Sequence, residues 1–142
     1  MKNTYFQIST SDKHLIVERL RYYLEKRQNL LFAYVYGSFV TADRFRDIDV
    51  AVYLKDASST PIQAELEIEA ELSHIIKNYR IDVRILNNAP LSFRYNVIKS
   101  GEPIAAVDDW IMKTPKRMSI LPKAPNICLL KNKSKYQSSN AK

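Results

Sequence analysis

The sequence predicts an α+β fold, a mixed sheet of three to four strands flanked by helices. Three observations carry that expectation. Leu30-Leu31-Phe32-Ala33-Tyr34-Val35-Tyr36 is a short, almost wholly apolar run stopped by Gly37, the pattern of a buried strand entering a tight turn. Asp47–Leu54 alternates, with Ile48, Val50, Val52 and Leu54 on one side and Asp47, Asp49, Ala51 and Tyr53 on the other, which is the two-residue period of a strand. Between and around these runs lie segments with the spacing of amphipathic helices.

Taken in order, residues 12–28 read as the first helix, with Ser11 as its N-cap and Leu15, Ile16, Leu20, Tyr23 and Leu24 near helical spacing. The strand at 30–36 and a short helical turn follow, then the strand at 47–54 and a polar loop at 56–60. Thr60-Pro61-Ile62-Gln63 supplies a helix start: a capping hydroxyl, proline at the first helical position and glutamine three residues after the cap. Ile62, Leu66, Ile68, Leu72, Ile75 and Ile76 are expected to form its core side, with Glu65, Glu67, Glu69 and Glu71 placed early, where the helix dipole favours acids. A third strand spans Ile81–Leu86. A helix from Pro90 ends near Gly101, a candidate C-cap, and Pro103–Val107 forms a last short strand.

The domain is expected to occupy residues 1–110, followed by a basic, proline-containing tail at 111–142. Residues 1–110 hold fourteen Lys and Arg against fifteen Asp and Glu, whereas 111–142 hold eight basic residues and no acid. The +7 charge is therefore a property of the tail, which reads as a solvated end. With no aromatic-interleaved basic face, direct nucleic-acid binding is not expected. The lone Cys128 excludes a disulfide framework and a cysteine zinc site. No apolar run approaches the roughly 20 residues of a membrane span, and the first residues lack the apolar core of a signal peptide. A cytoplasmic location without membrane contact is expected.

Chemistry concentrates in four places. Gly37 follows a buried strand and precedes Ser38, which offers an N–H and a hydroxyl to a phosphate approaching the backbone. Asp47 and Asp49, two residues apart on one strand, point the same way. Without a counter-charge they would repel by ~4 kcal/mol at ~4 Å and an effective dielectric of ~20. A hard divalent cation with oxygen ligands satisfies them, Mg²⁺ especially, because it pairs one or two carboxylates with substrate phosphates. Asp82 is a third acid inside an otherwise apolar strand, placed to join them if that strand lies beside the second. A plainer reading has Asp82 pairing with Arg80 or Arg84. His14 and His74 have no partner at metal-ligand spacing, and Tyr34, Tyr36 and Tyr53 read as core or pocket walls.

The stretch Gly37-Ser38-Phe39 followed by Phe45-Arg46-Asp47-Ile48-Asp49-Val50-Ala51-Val52-Tyr53-Leu54 resembles the signature of the DNA-polymerase-β-type nucleotidyltransferases. Ile81–Pro90 and Tyr95–Gly101 are similar to the minimal, MntA-type antitoxin branch, so the likeness covers about residues 12–107. The resemblance implies a nucleotidyltransferase fold. It implies that Gly37 and Ser38 bind the nucleotide, a role also expected of Arg46 from its place in the short loop, and that Asp47, Asp49 and Asp82 hold two Mg²⁺ ions and carry catalysis. It further implies ATP as substrate and a HEPN-type RNase toxin as partner in a hetero-oligomer, silenced by transfer of AMP to one of its tyrosines. The alternative is a catalytically silent member of the fold that neutralises its partner by binding alone. The spacer from Ser38 to Asp47 is shorter than in many relatives, so a tighter phosphate loop is expected.

Overall fold

The computed structural model describes residues 4–55 and 61–106. The polar loop at 56–60, the Thr60 cap, the boundary at 110, Trp110, Cys128 and the basic tail lie outside the described residues.

Helix α1 spans Thr10–Glu25. Its N-cap is Ser9, not Ser11: the Ser9 hydroxyl accepts from the Asp12 N–H at 3.0 Å, satisfying one of the otherwise unpaired first-turn donors. Ile16, Leu20 and Leu24 form its buried stripe. Strand β1, Leu30–Tyr36, and strand β2, Asp47–Leu54, coincide with the two runs expected from sequence. Between them α2, Ser38–Thr41, makes a single turn. Helix α3 covers Pro61–Ile75, β3 Arg80–Ile85, α4 Leu91–Ser100 and β4 Glu102–Ala106. The sheet has four strands in the order β3-β2-β1-β4. β1 is antiparallel to β2 and β4, whereas β3 runs parallel to β2.

The two sheet faces are unlike. Ile48, Val50, Val52 and Leu54 of β2 and Ile81, Val83 and Ile85 of β3 pack beneath α1 and α3 in the main core, with Leu20, Leu24, Ile68, Leu72 and Ile104. Each such side chain contributes ~1.5–3 kcal/mol on burial. On the other face Tyr34, Ala51, Tyr53 and Leu86 pack with Val97 and Ile98 of α4. This second cluster covers only part of the face.

Two expectations for α3 are corrected. Ile62 and Leu66 are 69% and 60% exposed, because the packing stripe runs through Ala64, Ile68, Leu72 and Ile76. Glu65 and Glu69 do not stand in the first turn; they reach the outer edge of β3, where the Ile85 N–H donates to Glu65 Oε2 at 2.9 Å and the Val83 N–H to Glu69 Oε1 at 3.3 Å. At the opposite edge Arg21 Nε donates to the Ile104 carbonyl at 2.7 Å. Both edges of the sheet are thereby stopped by charged side chains, which blocks pairing with another strand.

Glu65→Ala is expected to cost about 1–2 kcal/mol in urea denaturation, the range for losing a charge-assisted hydrogen bond at a half-buried amide. The exposed Glu67→Ala, two residues on and on the opposite side of α3, should change stability by less than about 0.5 kcal/mol.

Candidate functional site

Register places the acids. On the face that α4 leaves partly open, Tyr36 of β1 is the Cα partner of Asp49 in β2, and Asp49 is the Cα partner of Asp82 in β3. Adjacent strands lie ~4.8 Å apart, so one row crosses three strands as Tyr36, Asp49, Asp82. Asp47 stands two residues before Asp49 on the same side, opposite Arg80. Tyr34, Ala51 and Arg84 form the next row, with the small Ala51 at its centre.

Gly37 ends β1 with φ 79°, the one positive value among the described residues. A Cβ there would run into the Asp49 Oδ2 oxygen. Glycine is thus required twice: for the left-handed turn, and for the close approach of the carboxylate to the backbone. The Gly37 carbonyl accepts from the Val40 and Thr41 N–H groups at 3.0 and 3.1 Å and from the Thr41 hydroxyl at 3.2 Å. Ser38, exposed at the first position of α2, lies where backbone N–H groups have no intrahelical acceptor.

The segment joining α2 to β2 is pinned. Phe45 is fully buried and exchanges backbone hydrogen bonds with Phe6 at 2.7 and 3.0 Å. Its ring meets Phe39 edge-on at 4.9 Å and Tyr79 at 5.3 Å. Lys13 Nζ donates to the carbonyls of Phe39 and Ala42 at 2.8 and 3.1 Å. The short spacer is therefore held by an aromatic cluster on the core side, and its polar residues are left on the outside. Arg46 Nε lies 3.8 Å from Asp47 Oδ2, and its guanidinium stands 5.9 Å from the Tyr5 ring centre.

Electrostatics mark Asp49 as the centre of the group. Its carboxyl is pushed up to about 6, first by burial, then by Asp82 and Asp47, against the opposing pull of Arg84 and Arg46. The Tyr36 hydroxyl is pushed up as well, by burial and then by Asp49. Both shifts come first from burial, with the neighbouring carboxylates adding to it and the arginines opposing it. Among the described residues no three carboxylate, imidazole or thiol groups close on one point as a preformed metal cage. Mg²⁺ asks for less, one or two carboxylates completed by substrate phosphates, and the surplus negative charge around Asp49 suits such a cation.

The sequence reading treated Arg84 only as a pairing partner for Asp82. Among the described residues Arg84 makes no ion pair within 4 Å. Its guanidinium lies instead 5.9 Å from the ring centre of Phe93, which meets Tyr36 edge-on at 5.7 Å. The signal that finds it is the strand period, since Arg84 follows Asp82 by two. Among the described residues no helix is long and apolar enough to cross a membrane.

Comparison with known proteins agrees with this fold. Residues 18–109 match the family model described as Polymerase beta, Nucleotidyltransferase. No curated protein matches the chain. Among solved structures, the toxin–antitoxin complex MntA–HepT contains a chain with TM-score 0.53 and 19% identity, over 94% of this chain and 91% of that one. A chain in the complex of tri-AMPylated Shewanella oneidensis HEPN toxin with MNT antitoxin gives TM-score 0.56 at 19% identity, over 84% and 97%. A toxin–antitoxin structure with AMP-PNP gives 0.51 at 18%, over 87% and 98%. At these identities the likeness is one of fold.

The raised Asp49 carboxyl links stability to pH. The folded protein binds this proton more tightly than the unfolded chain, whose carboxyl titrates near 3.8. The resulting stabilisation is full below that value and is lost as pH rises through about 6. In EDTA, Asp49→Asn is therefore expected to melt about 3–5 °C above wild type at pH 8, a modest shift because solvent screens a half-exposed group. The gap should narrow towards pH 5 in thermal melts.

Proposed function

The chain belongs to the polymerase beta nucleotidyltransferase family, and from that membership we propose that it is a Mg²⁺-dependent antitoxin enzyme, transferring AMP from ATP to a tyrosine of a HEPN-type RNase toxin. The observation that carries the reading is the row that sets Asp49 beside Asp82, with Asp49 seated against the Gly37 turn. Support for the nucleotide and the partner comes from folds similar to this one in complexes with AMP-PNP and with an AMPylated HEPN toxin.

In this reading Gly37 and Ser38 hold the phosphates: the missing Cβ admits them to the backbone, and the first-turn amides and the Ser38 hydroxyl donate. Arg46, whose Nε lies 3.8 Å from Asp47 Oδ2, would reach the phosphates from the loop before β2. Asp47, Asp49 and Asp82 would hold Mg²⁺, which when bound neutralises the phosphates and stabilises charge developing on the transferred group. Asp82 stands on the far side of Asp49 from Gly37, where an acceptor hydroxyl would approach the α-phosphate. Asp82 takes the hydroxyl proton as the acceptor oxygen bonds to the α-phosphorus. The bond from that phosphorus to the bridging oxygen breaks, and pyrophosphate leaves. Binding and orientation supply most of the acceleration in such transfers.

Incubation with α-labelled ATP, Mg²⁺ and a HEPN-type RNase should label the RNase on tyrosine and suppress its cleavage of RNA. Asp47→Asn should lower labelling by at least about 10³-fold. Suppression that persists undiminished in Asp47→Asn, with no label transferred, would instead establish neutralisation by binding alone. Independently of activity, millimolar Mg²⁺ with AMP-PNP should raise the melting temperature of wild type but not of the double variant Asp47→Asn, Asp49→Asn.

A further inference from the structure

The loop that leads into β2 carries two exposed arginines, Arg44 and Arg46, on either side of the buried Phe45. Phe45 pairs with Phe6 in an isolated antiparallel bridge. The chain is extended there, so the residues flanking the inward ring turn outward. The same alternation runs along the partner segment. Phe6 sets its ring against Phe45 and Tyr79, at 5.8 and 4.8 Å, and its neighbour Tyr5 is left 52% exposed.

The Tyr5 ring meets both arginines. The guanidinium carbons of Arg44 and Arg46 each stand 5.9 Å from its centre, within the range at which an aromatic face attracts a cation. Among the described residues Arg44 makes no ion pair within 4 Å. Arg46 begins the cluster 3.8 Å from Asp47, so the two cations start at the carboxylates and extend away from them along the loop. Like charges gathered on one ring repel unless an anion joins them, and the forked donors of a guanidinium match phosphate oxygens. An anion that carries several charges and lies next to metal-holding acids has the chemistry of the β,γ-phosphate end of a nucleoside triphosphate. Single-stranded nucleic acid is the other polyanion to weigh. It binds by stacking bases on free aromatic faces, whereas the Tyr5 ring is engaged by two cations.

We propose that Tyr5 is a positioning residue of the nucleotide site, holding Arg44 and Arg46 together as donors to the β- and γ-phosphates. The inference rests on the transferase reading above and deepens it. The arginines would touch the phosphates, and Tyr5 acts through them. Tyr5 lies ahead of residues 18–109, which the family model matches. It is tied to the loop by the two backbone hydrogen bonds between Phe6 and Phe45, at 2.7 and 3.0 Å.

The test is calorimetric titration of the full chain, with Mg²⁺, by AMP-PNP, AMP and inorganic pyrophosphate. Wild type should bind AMP-PNP at least about a hundredfold more tightly than AMP. Arg44→Gln should weaken AMP-PNP and pyrophosphate about tenfold and leave AMP within about twofold. Tyr5→Ser should weaken the same two ligands at least about threefold, whereas Tyr5→Phe, which keeps the ring face, should match wild type. Arg44 and Tyr5 are exposed, so without ligand each variant should melt within about 2 °C of wild type. AMP-PNP affinity unchanged in either Arg44→Gln or Tyr5→Ser overturns the inference while the transferase reading stands, and it does so equally if single-stranded RNA binding is what those variants lose. AMP weakened as much as AMP-PNP, or Tyr5→Phe as weak as Tyr5→Ser, overturns it as well. Wild type that binds neither AMP-PNP nor pyrophosphate with Mg²⁺ removes the transferase reading itself.

Discussion

The parallel register between β2 and β3 governs everything on the open face. It makes Asp49 and Asp82 direct neighbours, and it is enforced from the opposite side of the sheet. Ile48, Val50 and Val52 of β2 and Ile81, Val83 and Ile85 of β3 all enter the core under α1 and α3. A slip of one residue would turn Asp82 and Arg84 into that core and three apolar side chains into water. At ~1.5–3 kcal/mol for each buried side chain, such a slip costs more than the repulsion it would relieve. The protein therefore holds like charges together with folding energy drawn from the far face, and Asp49, whose carboxyl is raised first by burial and then by Asp82 and Asp47, sits at their centre.

What could be read in advance follows from how local each cause is. β1 and β2 were legible to the residue because a buried strand and a half-buried strand each write their own pattern, and Gly37 writes the turn. The three acids were legible as strand residues with the same facing. That Asp49 and Asp82 share one row was not, because register between strands distant in sequence depends on the core that forms around them. The misses on α3 have the same origin. Every apolar residue at helical spacing was assigned to the core, but the stripe that meets the sheet includes Glu65 and Glu69 on its margin. Those acids find their partners in the amides of β3, which no helical period reveals. Ser9 and Ser11 both fit a cap by type, and only the path of the chain entering α1 decides between them.

Charge serves two ends in this molecule, and burial separates them. Glu65, Glu69 and Arg21 bond to backbone groups at the sheet edges, so their charges are spent on keeping the strands unpaired with outsiders. Arg84 and Lys99 rest instead on aromatic rings and face outward. A cation over a ring face gains roughly 0.5–1 kcal/mol at an exposed site, enough to orient it and too little to hold it against an incoming carboxylate. These side chains are oriented by the rings and stay open to solvent.

The two glycines of the chain complete the argument, because both bracket the same point. Gly37 follows Tyr36 and admits the Asp49 carboxylate to the backbone. Gly101 caps the C-terminal end of α4, as expected, with φ −88°; what its missing side chain supplies is space. A Cβ there would lie 2.8 Å from the Val35 carbonyl and 3.2 Å from Tyr36 Cβ, as well as against the Val97 carbonyl. Its absence lets the end of α4 turn directly into β4 while touching β1. The helix is thereby fixed to the strand end that also carries the Gly37 turn. The close approach at Gly101 sets α4 against Tyr36, and the one at Gly37 sets Asp49 against the next residue of the chain. Helix and carboxylate row are thereby held in one arrangement, which a side chain at either glycine would break.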